Sequence, residues 1–139
     1  MSFDVVTGAF GYTGRFIARR LMAQERPLKT LTNHPVRPGA EDIKAEVAPL
    51  QFADRSALVD SLRGADVLYN TYWVRFQHGR VHFGEAVANT RVLMGAARDA
   101  GVRRVVHVSV SSTSVLHAAC NKRWQLAKSS GITRASCMP

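Results

Sequence analysis

The sequence predicts an α/β fold, a doubly wound parallel sheet with helices on both faces. Three observations predict it. Short apolar runs alternate with segments of helical period along the chain, the pattern of strand–crossover–strand units. The first run, Phe3 to Thr7, leads straight into glycines at 8, 11 and 14, and then into a helix whose Phe16, Ile17 and Leu21 recur at helical spacing between Arg15, Arg19 and Arg20. The first of these runs is the sort that makes a buried strand.

With 139 residues, the expected organisation is one domain, 1–139, large enough to bury a core. Hydrophobic residues make up 46% and charged residues 21%, ordinary for a globular protein. No apolar run approaches the length of a membrane span. Met1-Ser2-Phe3-Asp4 runs directly into the first strand, leaving no room for a signal peptide. Cys120 and Cys137 have no metal-ligand spacing and read as free thiols. The expected location is therefore cytoplasmic. The net charge of +9 raises nucleic-acid binding, but the basic residues are scattered, which argues against it. Beyond Asp99 no carboxylate balances Arg103, Arg104, Lys122, Arg123, Lys128 and Arg134, so much of the excess comes from the tail.

The glycine-rich turn carries the clearest chemistry. One glycine lets the chain leave the strand sharply, one removes a side chain where a pyrophosphate approaches, and one lets helix and strand pack closely. The helix start then offers free N–H groups and a positive dipole end. Thr7, Gly8, Phe10, Gly11, Tyr12, Thr13 and Gly14 are accordingly candidate dinucleotide-binding residues. The alternative is a glycine-rich turn with no ligand.

The remaining elements follow in order. Pro27 to Thr32 reads as the second strand. In a doubly wound fold its end meets the adenosine ribose, where a carboxylate selects NAD and basic residues favour NADP. Asn33-His34-Pro35-Val36-Arg37 contains no carboxylate. Asn33 and Arg37, with Arg15 nearby, are candidates for this end of the cofactor, and Arg37 leans the reading towards NADP over NAD. A merely solvated loop punctuated by Pro35, Pro38 and Gly39 would look the same. Ala45 to Gln51 reads as the third strand. Asp54 caps a helix carrying Leu58, Val59 and Leu62, and Gly64 ends it. Ala65 to Thr71 is the fourth strand, and Asn70 to Trp73 should lie beside the end of the first, at the switch point where such sheets bind ligands. Tyr72, Trp73 and Phe76 would either line that pocket or pack on the next helix. That helix spans His82 to Ala100, with Phe83, Val87, Thr90, Met94 and Ala97 on one face and Gly101 as its stop. Arg104 to Ser109 is the fifth strand, with His107 an ordinary strand residue. Ser109-Val110-Ser111-Ser112 follows, and serine-rich turns also occur without any ligand.

The spacing T-G-x-x-G-x-x-G from Thr7 to Gly14, the run Ala65-Asp66-Val67-Leu68-Tyr69-Asn70-Thr71, and the segment from Asn89 to Ser109 resemble the extended and atypical short-chain dehydrogenases/reductases. These include the NAD-dependent epimerase/dehydratase and NmrA-like families. The resemblance implies a Rossmann-like fold, an NAD(P) cofactor, and hydride transfer between nicotinamide and a carbonyl or sugar-like substrate. It implies that Asn70 and Thr71 lie along the cofactor, that Asn89 lies near the active site, and that Ser109 touches the cofactor. It makes Ser111 the substrate-binding serine. Gln51 or Asp54 would stand where these families often place an adenine-contacting Asp. The substrate would be a small molecule, and a homodimer would form through helices that include 82–100.

The tail departs from the family pattern. A catalytic Tyr with Lys four residues on places both side chains on one helix face. Tyrosines occur only at 12, 69 and 72, and none has such a Lys. Lys122 aligns with the catalytic-type Lys, and Ala118 then stands where the Tyr should be. Residues 113–139 match poorly, Thr133 to Cys137 is too polar for a central strand, and the substrate-binding part that follows in the family is expected to be absent. Two functions therefore stand side by side: an NAD(P)-dependent epimerase/dehydratase or reductase using Ser111 and Lys122, and a non-catalytic NAD(P)-sensing module of the NmrA-like kind.

Overall fold

The computed structural model describes residues 2–72 and 83–108. Its elements are β1 (Phe3–Thr7), α1 (Tyr12–Met22), β2 (Leu28–Leu31), β3 (Glu46–Ala48), α2 (Arg55–Leu62), β4 (Ala65–Asn70), α3 (Phe83–Asp99) and β5 (Arg104–His107). The strands form one parallel sheet in the order β3-β2-β1-β4-β5. The chain first winds outward from β1 to β3, then returns to β1's other side for β4 and β5. This reversal is the doubly wound arrangement, and it opens a crevice at the C-terminal ends of β1 and β4.

Alternation along the strands divides the core. Val5, Leu31, Leu68 and Val105 face Leu58 and Leu62 of α2 and Leu93, Ala96 and Ala97 of α3. Val6 and Leu28 face the other way, onto Ala18 and Leu21 of α1 with Ala9 and Phe10 of the turn. Helices α2 and α3 thus cover one face of the central strands, and α1 with the turn covers the other.

Three local details refine the sequence reading. No helix links β2 to β3: residues 33–39 are exposed, while Ala40 and Ile43 pack into the α1-side core in place of a crossover helix. Arg19 holds this segment to α1 by a two-pronged bond to Asp42, at 2.7 and 2.8 Å, and by a bond to the Gly39 carbonyl. In α1 the buried stripe is Gly14, Ala18 and Leu21, and Phe16 is 58% exposed, its ring edge-on to Tyr12. Small residues win because the helix lies close to the sheet. In α3 the buried side chains are Ala86, Thr90, Leu93, Ala96 and Ala97, whereas Val87 and Met94 are half-buried. Again alanines, here together with Leu93, mark the contact face.

The ends of the elements follow the expected chemistry. The Asp54 carboxylate accepts from the Ala57 N–H at 2.9 Å and caps α2. Gly64 and Gly101 take φ of +85° and +75° after α2 and α3, a conformation that favours glycine. At the N-terminal end of the sheet, buried Asp4 is gripped by Arg26 at 2.8 and 3.0 Å, and Arg26 also reaches Asp66, which pairs with Arg103. Among the described residues, no helix is long and apolar enough to cross a membrane.

Candidate dinucleotide site

The site is built where β1 ends. Gly8 takes φ of +65° and turns the chain off the strand. Its N–H donates to the Leu31 carbonyl, and the Ala9 N–H donates to the Thr30 hydroxyl at 3.0 Å, so β2 holds one side of the turn. The Gly11 N–H closes back onto the Gly8 carbonyl at 2.8 Å. At Gly14 a Cβ would stand 2.1 Å from the Gly8 carbonyl oxygen, so only glycine lets α1 pack this close. At Gly11 the same distance would be 3.1 Å, a tight contact with the turn's own backbone.

Helix α1 starts with Gly11 at its N-cap, no side chain capping it, and no acidic residue in the first turn. The N–H groups of Tyr12, Thr13 and Gly14 therefore open the helix without intrahelical acceptors. With the aligned helix dipole they suit an anion. These donors, the tight turn and the bare Gly11 are the features that a pyrophosphate needs, and the residues present fit an NAD(P) dinucleotide. Phe10 is buried in the α1-side core, so it faces the site through its backbone. Tyr12 and Thr13 are exposed, and the Arg15 guanidinium lies 5.9 Å from the Tyr12 ring centre.

β4 holds the other side. Thr7 of β1 is buried, and its hydroxyl accepts from the Thr71 N–H at 2.8 Å while donating to the Asn70 side-chain oxygen at 3.1 Å. The Thr71 hydroxyl donates back to the Thr7 carbonyl. Asn70 is fully buried, accepts from the Tyr72 N–H at 2.9 Å, and meets His107 Nδ1 at 2.9 Å through its nitrogen. Asn89 donates to the Tyr72 hydroxyl at 3.1 Å, and the Tyr72 ring packs on Phe52. Thus Thr7 meets Asn70 and Thr71 at one end of the sheet, and Asn89 is tied to the same segment through Tyr72. Tyr72 packs towards α3, the second of the two roles open to it.

At the adenosine end, Asn33 donates to the Leu50 carbonyl at 2.9 Å and accepts from the Leu50 N–H at 3.1 Å. Its amide ties the tips of β2 and β3 and keeps one hydrogen and one lone pair over. Arg37 is exposed on the loop, and Arg15 reaches the Gly39 carbonyl at 3.5 Å. Gln51 is exposed, whereas Asp54 is engaged as a cap. The reading of Ser109, Ser111, Lys122 and Ala118, and of Trp73 and Phe76, lies outside the described residues.

Two residues at the site go beyond the sequence reading, which passed over Thr30 and took His107 as an ordinary strand residue. Thr30 anchors the turn from β2, and His107 partners Asn70. The available signal was position: Thr7, Asn70 and His107 each follow a core residue (Val5, Leu68, Val105) by two, and Asn70 and His107 are paired across the sheet.

The profile of the NAD dependent epimerase/dehydratase family matches residues 5–120. The chain belongs to the NAD dependent epimerase/dehydratase family. The chain is 37% identical over 109 residues to sterol demethylase protein B of Methylococcus capsulatus, covering 76% of this chain and 33% of that protein. An uncharacterized protein of Mycobacterium tuberculosis is 28% identical over 104 residues, covering 75% of this chain and 12% of its own length. The chain thus spans a third or less of these relatives. A short-chain dehydrogenase/reductase superfamily protein from Agrobacterium tumefaciens, solved with bound NAD, superposes with a TM-score of 0.62 at 28% identity, over 77% of this chain and 32% of that one. As a member of the epimerase/dehydratase family, the chain is of an NAD(P)-binding kind.

Proposed function

We propose that this domain serves hydride transfer between NAD(P) and a carbonyl or sugar-like substrate. The observation that carries the proposal is the uncapped start of α1, opened by Gly8 and locked between Thr30 on β2 and Thr71 after β4. A bound nicotinamide supplies the hydride chemistry, and the protein supplies binding and orientation. The turn holds the pyrophosphate. Thr7, Asn70 and Thr71 line the path towards the nicotinamide. By resemblance, Ser109 touches the cofactor, Ser111 holds the substrate oxygen, and Lys122 is the catalytic-type lysine. The sterol demethylase relative and the sugar-type chemistry of the family together suggest sterol carbonyls and nucleotide sugars as the first substrates to assay.

We read the adenosine end as favouring NADP, because no carboxylate stands between Thr32 and Ala40 and Arg37 is exposed. Isothermal titration with NADPH and NADH tests both readings. Micromolar binding supports the site. A preference for NADPH that Arg37→Ala removes supports the specificity, and equal losses for both cofactors would defeat it. A folded chain that binds neither would defeat the cofactor role.

A second reading is favoured by one observation. Ala118 stands where a proton-relay tyrosine is expected, and such relays contribute about 10²–10⁴-fold in rate. Among the described tyrosines, Tyr12 is exposed, Tyr69 packs against the α1-side core, where burial and then Asp4 push its phenol above the ordinary range, and Tyr72 is held by Asn89. On this reading the chain binds NAD(P) as a sensor. Turnover separates the two: cofactor consumption with a carbonyl substrate supports the enzyme, and tight binding without consumption supports the sensor.

A further inference from the structure

At the C-terminal end of the sheet, three polar side chains, Thr7, Asn70 and His107, form a row across β1, β4 and β5, above the apolar row of Val5, Leu68 and Val105. The hydrogen bonds in this row have only one self-consistent direction. A backbone N–H can only donate. The Tyr72 N–H lies 2.9 Å from the Asn70 side-chain oxygen, so that atom must be the acceptor, and the amide cannot be turned over. Likewise the Thr71 N–H donates to the Thr7 hydroxyl at 2.8 Å, which leaves the hydroxyl's own hydrogen for the Asn70 oxygen at 3.1 Å. The Asn70 nitrogen therefore faces His107 Nδ1 at 2.9 Å with a hydrogen to give. A protonated Nδ1 would set two donors against each other at a fully buried amide, and an unpaired buried donor is costly.

We propose that Asn70 is a positioning residue that holds His107 as the neutral Nε2–H tautomer. The inference rests on the dinucleotide reading for its functional part only. The ring's state is set from the backbone outward: Tyr72 N–H orients Asn70, and Asn70 orients His107. The same amide fixes the 70–72 turn against Thr7, beside the glycine-rich turn. A change at residue 70 therefore reaches both the histidine and the cofactor's resting place.

The test uses the full chain labelled with nitrogen-15, read by long-range proton–nitrogen correlation at neutral pH. The wild type should show His107 with Nδ1 unprotonated and Nε2 protonated. Asn70→Asp, which presents an acceptor to Nδ1, should move a proton onto that nitrogen. A wild-type ring protonated on Nδ1, or an unchanged ring in Asn70→Asp, overturns the assignment. Titration with NADH then separates position from charge. About tenfold weaker binding by both Asn70→Asp and the uncharged Asn70→Leu supports the positioning role, whereas a loss confined to Asn70→Asp, or none, overturns it. A wild type that has the stated tautomer but binds no dinucleotide would defeat the cofactor reading while leaving the assignment of His107 standing.

Discussion

Gly11 and Gly14 are the same residue type three positions apart, yet a side chain would be crowded very differently at the two. A Cβ at 14 would collide with the Gly8 backbone at 2.1 Å, whereas at 11 it would only crowd the Gly8 oxygen at 3.1 Å. Gly14→Ala should therefore act on the fold, lowering the melting temperature by several degrees, as overpacking costs about 1–3 kcal/mol. Gly11→Val should act on function: a near-native circular dichroism spectrum with no measurable NADH or NADPH binding. Retained binding would mean that the turn does not hold phosphate. Thr7 is a third distinct case. Thr7→Val matches its shape but strands the Thr71 N–H, and should cost about 1–3 kcal/mol by urea denaturation. Thr7→Ser keeps the hydroxyl and should recover most of that loss.

Among the elements, α2 depends on chemistry at its ends. Asp54 caps its start, and Asp54→Ala should destabilise the domain by about 1 kcal/mol. Across the helix pair, Arg55 lies against α3 where Gly95 makes room for its guanidinium, and it pairs with Asp99. Bonds from Arg55, then from Arg98, hold the Asp99 carboxyl below its usual range. The folded-state value is the depressed one, so the pair contributes above the unfolded carboxylate value and its contribution disappears as pH falls through the folded value. Melting curves should thus separate wild type from Asp99→Asn at neutral pH and converge in strong acid. The difference will be small, because both groups are solvent-exposed. Asp54 and Gly64 were legible in sequence because caps and stops are local signals. The buried faces of α1 and α3 were less so, because Gly14, Ala18, Ala86 and Ala96 add little to an apolar pattern that Phe16 and Met94 dominate.

Over the whole molecule, what sequence revealed and what it hid divides by separation along the chain. The alternation of strands and helices, the glycine spacing and the doubly wound order all follow from contiguous segments. The contacts that complete the site do not. Thr7 and Asn70 are 63 residues apart, Asn70 and His107 are 37 apart, and the Asn33 clamp on Leu50 spans 17. No periodicity encodes such pairs; only the sheet register brings them together. The same holds at the opposite end of the sheet, where Arg26 serves Asp4 and Asp66 at once. Arg26→Ala would leave the Asp4 carboxylate buried and uncompensated. The expected loss is about 3 kcal/mol, the low end for a broken buried pair, since Arg26 keeps a third of its side chain in water. Chemical denaturation measures it.

The order of the strands also sets a timetable for synthesis. β1 lies at the centre of the sheet, yet it is made first, and its second neighbour, β4, begins only at Ala65. At ribosomal rates, the interval between them is about 3–13 s. During that time β2 can pair with one side of β1 and Thr30 can tether Ala9, while the other edge of β1 has no strand beside it. The nascent glycine-rich turn is then anchored on one side only, and it acquires its final shape when Thr71 leaves the ribosome and closes onto Thr7.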